Sequence, residues 1–303
     1  MADSVRMKFS TGARVTDVQQ VVSRVWAVVV HHNSLETLEA TACNLLDEGI
    51  DPKQIVVVDN SMDRVSEPEL TGALAPGVHL LRVENQGYGA AVNAGFRLVD
   101  LVAAGCAEAV LVVTHEVLFS EGAVAVLAET LRGAPSVGAV APLLTVRGAQ
   151  GEGVWSTGGY LTGCLRLPRH STELEVGRDH ATVEWADGAA VMYRPFALGL
   201  GMDERYFLYM EEVELHLRLR ASGMGVVVAY GARASQSTGG MPPYYQVRNI
   251  QLLHRRFGRR GFRHLALASV TARAVAKAAR HSDLTAFRAV LRGMRDGRRA
   301  RLV

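Results

Sequence analysis

Short apolar runs alternate with amphipathic segments of helical length between residues 26 and 132, and this alternation is what most limits the fold. The runs are rich in valine and end in polar residues, as buried strands do, while the segments between them repeat apolar residues at helical spacing. The predicted elements are strands at 26–30, 55–58, 78–83 and 109–113 and helices at 35–46, 89–104 and 122–132. Strands joined by helices of this length form a parallel sheet covered on both faces, so the sequence predicts an α/β fold with a mostly parallel sheet.

The rest of the chain divides into regions of different composition. Residues 1–23 are polar and irregular and are predicted to form a flexible N-terminal arm, while residues 24–257 are predicted to form the α/β domain. Within that domain regular structure returns after a glycine-rich stretch, as strands at 189–193 and 226–230 and a helix at 211–222. Residues 258–303 are predicted to be a basic helical C-terminal extension.

Charge is unevenly distributed along the chain. The formal net charge is +3, but residues 251–303 hold 13 Arg and one Lys against two Asp, which leaves a net negative charge on the rest. A basic end on an acidic body indicates contact with an anionic surface, such as membrane headgroups or another subunit. Nucleic acid fits least well, because the arginines lack the regular aromatic partners that stack on bases.

The sequence has neither an apolar run long enough to cross a bilayer nor an apolar secretory segment. A cytoplasmic protein is therefore expected, with peripheral contact at the inner face of the membrane as a further expectation. Cys43, Cys106 and Cys164 are odd in number and widely spaced, which argues against a disulfide framework or a cysteine zinc site. We expect them to be buried thiols.

Polar clusters follow the predicted strands at residues 31–33, 59–61, 85–89 and 114–116. Ligands of parallel α/β sheets bind beyond the carboxyl ends of the strands. The sequence therefore predicts that these clusters line a common binding site.

Four segments carry a resemblance to a known family: 28–33 (VVVHHN), 57–61 (VVDNS), 85–95 (NQGYGAAVNAG) and 201–218 (GMDERYFLYMEEVELHLR). In order and spacing they resemble the family 2 glycosyltransferases of GT-A fold, and within that family the bacterial rhamnosyltransferase-like branch. The resemblance implies an inverting enzyme that uses a UDP- or dTDP-sugar donor. Its acceptor would be a hydroxyl or amine on a small molecule or a lipid-linked glycan.

The resemblance also implies a nucleotide-sugar site made of residues from the whole domain. Asp59 would accept a hydrogen bond from the imide N–H of uracil or thymine, although an aspartate there also caps a turn through Ser61. Gly87 and Gly89 would let the backbone approach the nucleotide; the same glycines give a weak dinucleotide-binding signal. The predicted binding residues are His31, Asn33, Asp59, Asn85, Gly87, Asn93, Thr114, His115, Glu116 and Arg248. For Asn93 and Arg248 a purely structural role is an equal alternative.

Glu211 and Glu212 open a predicted helix whose counterpart in the family carries the catalytic carboxylate. An inverting transfer needs a base that takes the proton of the acceptor hydroxyl. The resemblance gives this role to Glu212, with Glu211 beside it, and His216 one turn later is expected to orient Glu212 or share its proton. The alternative is that the helix dipole alone favours acidic residues in this turn.

The resemblance breaks where the family holds its metal. The usual Asp-x-Asp or Asn-Pro-Asp tripeptide is replaced by Thr114-His115-Glu116, and a histidine near the diphosphate is replaced by Gln236. Glu116 is the candidate ligand for Mg²⁺ or Mn²⁺, but we expect the metal dependence to be weakened or lost. The diphosphate charge would then be neutralised by protein cations, for which the candidates are Arg205, Arg233, Arg248 and His115. No organic cofactor is expected.

Two functions of other classes fit parts of the same pattern. A nucleotide-binding scaffold that has lost catalysis is suggested by the substitutions at 114–116 and at Gln236. A dinucleotide oxidoreductase is suggested by the glycines at 87 and 89 alone. The basic C-terminal helices fit either peripheral membrane contact or a homodimer.

Overall fold

The computed structural model describes residues 21–61, 64–148, 151–237 and 240–300. Its strands are β1 (Val25–His31), β2 (Ile55–Asp59), β3 (His79–Arg82), β4 (Ala109–Thr114), β5 (Leu118–Phe119), β6 (Val137–Gly148), β7 (Gly151–Ser156), β8 (Gly159–Thr162), β9 (Leu167–His170), β10 (His180–Val183), β11 (Ala190–Tyr193) and β12 (Gly225–Gln236). Its helices are α1 (Leu35–Asp47), α2 (Glu67–Gly72), α3 (Tyr88–Ala103), α4 (Ala123–Gly133), α5 (Pro195–Leu200), α6 (Glu211–Ala221), α7 (Pro243–Phe257), α8 (Arg263–Arg280) and α9 (Leu284–Arg299). Short 3₁₀ turns lie at Pro52–Gln54 and Glu204–Tyr206.

One sheet organises the domain, with strand order β10-β12-β6-β11-β4-β1-β2-β3. β4, β1, β2 and β3 pair in parallel, as do β12 and β6, while β11 is antiparallel to both of its neighbours. The predicted α/β fold with a mostly parallel sheet is thus confirmed. The parallel half brings the carboxyl ends of β1, β2 and β4 to one edge.

Alternation along β1 divides the core into two layers. Ala27 and Val29 pack into one buried cluster, and Trp26, Val28 and Val30 pack into the other. Successive side chains of a strand point to opposite faces, so a continuous apolar run is what a strand buried on both faces requires. Helices α1 and α4 belong to the first layer, and α3 and α6 to the second.

The C-terminal helices pack on the same domain through a third cluster. Val213 and Leu217 of α6 lie with Val247 and Leu253 of α7, and with buried residues of α8 and α9 such as Val290. Helix α6 therefore stands between the sheet and the C-terminal helices. Among the described residues, no helix combines the length and the hydrophobicity that crossing a bilayer requires.

The predicted elements occur close to their predicted bounds, with one extension. The strand predicted at 226–230 continues to Gln236, because a register shift between Ala229 and Arg233 carries β12 past Gly231. A bulge of this kind bends a strand without ending it. The added length brings Gln236 to the carboxyl edge of the sheet.

Two expectations differ from the structure. Cys43, Cys106 and Cys164 are all exposed, so the prediction of buried thiols is wrong. The arm predicted at 1–23 lies almost wholly outside the described residues, but Val22 is fully buried in the core, so the ordered domain begins before residue 24.

Candidate active site

The carboxyl ends of β1, β2 and β4 bring three of the predicted polar clusters together. His31 lies opposite Asp59, and Val30 lies opposite Thr114. His31 Nδ1 is 2.8 Å from Asp59 Oδ1, and the ring of His115 meets that of His31 edge to face at 5.2 Å. The three clusters therefore form one continuous polar edge.

The Asp59 side chain is buried within this edge and hydrogen-bonded to its neighbours. It is 1% exposed, and it accepts hydrogen bonds from the Ser61 backbone N–H at 3.1 Å and from Arg82 Nε at 3.2 Å as well as from His31. Ser34 donates its backbone N–H to His31 Nε2, which leaves the proton on Nδ1 and makes His31 the donor to Asp59. Burial alone would raise the pKa of Asp59, but the hydrogen bonds from His31 and Ser61 outweigh it and lower the pKa to about 2. The carboxylate is therefore ionised at neutral pH.

Asn33 and His115 lie at the same edge. Asn33 adopts a left-handed backbone conformation (φ 65°), and its side-chain oxygen is buried with no hydrogen-bond partner among the described residues. Burial and the nearby His31 lower the pKa of His115 to about 4, so His115 is neutral at physiological pH. A neutral imidazole adds no positive charge to the site.

The glycine-rich segment packs against the backbone at Phe207. Asn85 Oδ1 accepts the Gly87 N–H at 3.2 Å, and Gly87 has a φ of 101°. A Cβ atom at Gly87 would lie 2.1 Å from the carbonyl oxygen of Phe207, and Tyr88 N–H donates to that same oxygen at 2.7 Å. The absence of a Cβ atom at Gly87 is therefore explained by the Phe207 backbone, and the approach of the Gly87 and Gly89 backbone to a nucleotide stays a prediction. Gly89 likewise packs on Met202, whose Cβ would be 3.2 Å from an added one.

Asn93 and Arg248 have structural roles. Asn93 accepts the Met202 N–H at 2.7 Å and donates to the Met202 carbonyl and to Glu204, so it fixes the chain just before the 3₁₀ turn. Arg248 donates to the carbonyl oxygens of Arg205 and Tyr206. Of the alternatives left open by the sequence, the structure favours the structural one for both residues.

The loop between the 3₁₀ turn and α6 is strained. Phe207, Tyr209 and Met210 have φ values of 65°, 70° and 71°, a region that L-residues rarely occupy. Leu208 N–H donates to the Tyr206 carbonyl, which closes a γ-turn centred on Phe207. Conformations of this kind cost about 1–3 kcal/mol per residue and persist only where the surroundings impose them.

Asn249 of α7 is hydrogen-bonded to this loop, and the sequence did not single it out. Its side chain is fully buried, and its Nδ2 donates to the carbonyl oxygens of Tyr206, Leu208 and Tyr209 at 3.2, 2.8 and 2.8 Å. Arg248 donates to Asn249 Oδ1 at 2.7 Å and so fixes the orientation of the amide. The Arg-Asn pair at the start of α7 was the available signal, but the sequence does not show what it contacts.

The strained loop ends at Glu211 and Glu212, which line a cavity of about 450 Å³ together with Thr114 and Glu116. Gln236 reaches the same cavity from the end of β12. Four residues predicted for the site therefore share one cavity. Asp59, His31 and His115 are not among the described residues that line it.

Glu211 and Glu212 have raised pKa values for physical reasons. Glu211 is 2% exposed, its Oε2 has no hydrogen-bond partner among the described residues, and burial raises its pKa to about 7. Burial first, and then the charges of Glu211 and Asp187, raise the pKa of Glu212 well above its usual value. Glu211 thus holds or releases a proton near neutral pH, and Glu212 binds a proton more tightly than an ordinary glutamate does.

His216 does not take part in this pair. Its Nδ1 accepts the Ala186 backbone N–H at 3.1 Å, and its Nε2 lies 3.0 Å from the Tyr193 hydroxyl. Burial lowers the pKa of His216 to about 3. The expectation that His216 shares a proton with Glu212 is wrong, because both ring nitrogens are engaged elsewhere.

Aromatic side chains form the far wall of the cavity. His170 lies between Trp155 and Trp185, with ring centroids at 5.2 and 4.6 Å, and all three line the cavity. Trp155 Nε1 donates to Asp187 Oδ2 at 2.9 Å, which fixes the indole against the carboxylate. These residues lie in the part of the chain from β7 to β11, in which the sequence predicted no site residue.

The oxygen atoms around Glu116 can coordinate a hard cation only if a bound ligand supplies the remaining coordinating atoms. Ser237 donates its hydroxyl to Glu116 Oε2, and Gln236 lines the cavity beside them. Within the described ranges, no group of three or more His, Cys, Asp or Glu residues is placed to hold a metal ion. Mg²⁺ is commonly bound by one or two carboxylates together with substrate phosphates, and this oxygen-only set fits that mode.

The protein cations proposed to replace a metal are mostly committed elsewhere. Arg205 is paired with Asp203, Arg248 holds backbone carbonyls, and His115 is neutral. Arg233 is exposed on β12, three residues before Gln236. The expected neutralisation by protein cations thus loses most of its candidates.

Comparison with known proteins agrees with this geometry. The protein-family model described as glycosyl transferase family 2 matches residues 26–196. The chain is 26% identical over 232 residues to the N-acetylglucosaminyl-diphospho-decaprenol L-rhamnosyltransferase of Mycobacterium tuberculosis (strain CDC 1551 / Oshkosh), covering 69% of this chain and 72% of that protein.

Two solved structures share the fold at low sequence identity. A mannosyltransferase of Pyrobaculum calidifontis in complex with GDP-Man and Mn²⁺ matches with a TM-score of 0.51 and 13% identity, over 91% of this chain and 86% of that one. GalNAc-T7 with UDP, GalNAc and Mn²⁺ matches with a TM-score of 0.54 and 16% identity, over 75% of this chain but only 47% of that one. The family model spans more than half of the chain, so this protein belongs to glycosyl transferase family 2 and is a sugar-transferring enzyme of GT-A fold.

Proposed function

We propose that this enzyme transfers a sugar, with inversion, from a UDP- or dTDP-sugar to a hydroxyl group of a lipid-linked glycan. The observation that carries the proposal is the Glu211–Glu212 pair, whose carboxyls have raised pKa values and face one cavity with Glu116. The name of the Mycobacterium tuberculosis relative supports a lipid-linked acceptor and a deoxysugar donor. The alternative is the same transfer to an amine, or to a small-molecule acceptor.

Glu212 serves as the base in this proposal. Ionised Glu212 takes the proton of the acceptor hydroxyl while the hydroxyl oxygen bonds to the anomeric carbon of the donor. The bond from that carbon to the diphosphate oxygen breaks at the same time, and the nucleoside diphosphate leaves with the electron pair. Glu211 lies beside Glu212 and, by its own charge, helps to keep the pKa of the base high.

The diphosphate is proposed to lie at Thr114 and Glu116, in front of the His31–Asp59 edge. Glu116 would hold a divalent cation jointly with the diphosphate, and Gln236 and Ser237 supply further oxygens there. Such a cation neutralises the charge that develops on the leaving diphosphate. Asn33 Oδ1 and Thr114 Oγ1 are both buried at this edge without a hydrogen-bond partner among the described residues, and they are the polar atoms proposed to bond to the nucleotide.

The acceptor sugar is proposed to lie against Trp155, His170 and Trp185. Aromatic rings beside polar groups suit a sugar ring, which has apolar C–H faces and a polar rim. Asp187 is positioned by Trp155 and by the Ala189 N–H at 2.9 Å, and it lines the same part of the cavity. The wall therefore directs the acceptor hydroxyl toward Glu212.

Substitution of the base tests the reaction directly. Glu212→Gln is expected to lower kcat by roughly 10²–10⁴-fold, the usual contribution of a general base, while UDP or dTDP binding is retained. Glu129→Gln, which changes an exposed glutamate on α4, is the matched control and should leave kcat unchanged. If Glu212→Gln keeps full activity, Glu212 is not the base. If neither wild type nor variant transfers sugar but both bind nucleotide, the chain is a nucleotide-binding scaffold.

Removal of divalent cations tests the role of Glu116. We expect EDTA to weaken UDP or dTDP binding in calorimetry and to abolish transfer, with Mg²⁺ or Mn²⁺ restoring both. Glu116→Gln should lose the cation-dependent part of nucleotide affinity and leave the cation-independent part unchanged. Full activity in EDTA would instead support neutralisation by a protein cation such as Arg233.

A further inference from the structure

Helix α9 exposes a stripe of large apolar side chains to solvent. Leu284, Phe287 and Leu291 are 70%, 40% and 51% exposed, and their spacing of three and four residues places them on one face of the helix. A single exposed leucine is ordinary on a protein surface, but three on one helical face form a patch that needs a partner. We call these three residues the apolar stripe of α9.

Arginines run alongside the apolar stripe. Arg288, Arg292, Arg295 and Arg299 recur at spacings of four, three and four residues, so they form a parallel row on the same helix. Asp296, the one acidic residue of α9, accepts hydrogen bonds from Tyr244 of α7 at 3.2 Å and from Arg295 Nε at 2.8 Å, so it neutralises one member of the row. The outer face of α9 is therefore apolar on one side and positively charged on the other.

The opposite face of α9 is packed tightly against α7. A Cβ atom at Gly293 would lie 2.6 Å from the Tyr244 carbonyl oxygen, and one at Gly297 would lie 2.0 Å from Gln251 Nε2. Gln251 also donates to the Gly293 carbonyl at 3.2 Å. The glycines fix α9 as a rigid helix on the protein with its apolar stripe outward.

The direction of α9 relates this stripe to the cavity. Gly293 lies at Tyr244 and Gly297 at Gln251, so α9 and α7 run in the same direction. Leu284 is nine residues before Gly293, so at the rise of an α-helix it lies roughly 13 Å beyond the level of Tyr244. Met241 and Gln246, at that same end of α7, line the cavity. The apolar stripe thus lies beyond the end of α7 whose residues line the cavity.

We propose that the apolar stripe and arginine row of α9 dock the enzyme on a bilayer that contains anionic lipids. Leucine and phenylalanine side chains enter the headgroup region, and the arginines bind lipid phosphates. A protein partner is favoured less, because a row of four arginines complements a continuous anionic surface. The docked helix would hold the cavity next to a lipid-linked acceptor, a consequence that rests on the proposed function.

Vesicle binding tests the docking face independently of catalysis. The full-length chain is expected to sediment with vesicles of equimolar phosphatidylcholine and phosphatidylglycerol, less at high salt, and weakly with phosphatidylcholine alone. Combined Leu284→Ser, Phe287→Ser and Leu291→Ser should weaken binding by at least about tenfold, from the loss of apolar burial. Combined Arg288→Gln and Arg292→Gln should weaken it by roughly twentyfold or more, at about fivefold per basic residue.

Matched controls and a second measurement separate the outcomes. Leu101→Ser removes a leucine that is 77% exposed on α3 and should bind vesicles as the wild type does. The triple variant should still bind UDP or dTDP with wild-type affinity, which shows that the chain has folded. Undiminished vesicle binding of the triple variant overturns the proposal, as does a wild-type dimer in solution that the triple variant converts to a monomer. Vesicle binding as expected without any sugar transfer would leave the docking face standing and refute the proposed function.

Discussion

Replacement of Asn249 by alanine tests whether the strained loop before α6 sets the catalytic rate. The substitution removes the amide that holds the carbonyl oxygens of Tyr206, Leu208 and Tyr209 without changing any residue that lines the cavity. If these bonds impose the left-handed conformations, the loop should relax and Glu212 should lose its position.

The size of the effect follows from the contacts. Two of the three bonds are 2.8 Å long, and a buried carbonyl left without a partner costs roughly 1–3 kcal/mol. Each of the three left-handed residues of the loop carries a conformational strain of a similar size. Loss of about 2–4 kcal/mol of hydrogen-bond stabilisation is therefore enough to favour relaxed loop conformations. We expect kcat to fall by roughly 10- to 100-fold and the free energy of unfolding to fall by about 2–4 kcal/mol.

Gln251→Ala provides a matched control on the same helix. Gln251 is also buried and also donates to backbone carbonyls, those of Val247 and Gly293, but these belong to the contact between α7 and α9. Both variants should lose similar stability in urea denaturation, while only Asn249→Ala should lose kcat with little change in the KM of the donor. Equal kcat values for the two variants, at matched stability, would refute the positioning role of Asn249.

Two further perturbations examine the same region. Gly87→Ala should destabilise the fold by several kcal/mol more than Gly105→Ala does. Both glycines have positive φ, but only a Cβ atom at Gly87 would meet the Phe207 backbone. Equal unfolding free energies of the two variants in urea would contradict this prediction. Glu211 has a pKa of about 7 in the folded protein against 4.5 for an ordinary glutamate, so the folded protein binds more protons than the unfolded chain between these values. The contribution of Glu211 to stability is therefore lost as the pH rises through 7. Glu211→Gln should therefore flatten the decline of unfolding free energy between about pH 4.5 and 7, and an unchanged slope would show that Glu211 titrates normally.

The sheet and the edge at which the site lies could be predicted because they depend on local pattern. Apolar alternation fixes which residues form β1, β2 and β4, and parallel pairing then brings His31, Asp59 and Thr114 to one edge. The sequence also directed attention to Glu211, Glu212 and Glu116, which share the cavity. Their chemical roles remain proposals.

What could not be predicted depends on contacts between distant residues. Gly87 is required by the carbonyl of Phe207, and Asn249 is required by carbonyls some forty residues earlier. Nothing in the local pattern of either residue shows the partner. The aromatic wall was missed for the same reason, since Trp155 and Trp185 meet at His170 only through the pairing of short hairpins.

The carboxylates of the site differ in environment rather than in kind, and this difference decides which of them can act as a base. Asp59 receives hydrogen bonds from His31, Ser61 and Arg82, which outweigh the effect of burial on its pKa and keep it ionised. A carboxylate with a pKa of about 2 is too weak a base to take a proton from a hydroxyl. Glu212 is partly buried beside another glutamate, at a place where no arginine or lysine is among the described residues that line the cavity. The pKa of Glu212 is raised instead, so its carboxylate keeps the proton affinity that a base needs. Glu212 lies in the first turn of a helix that follows a strained loop, and this holds the carboxylate in one position.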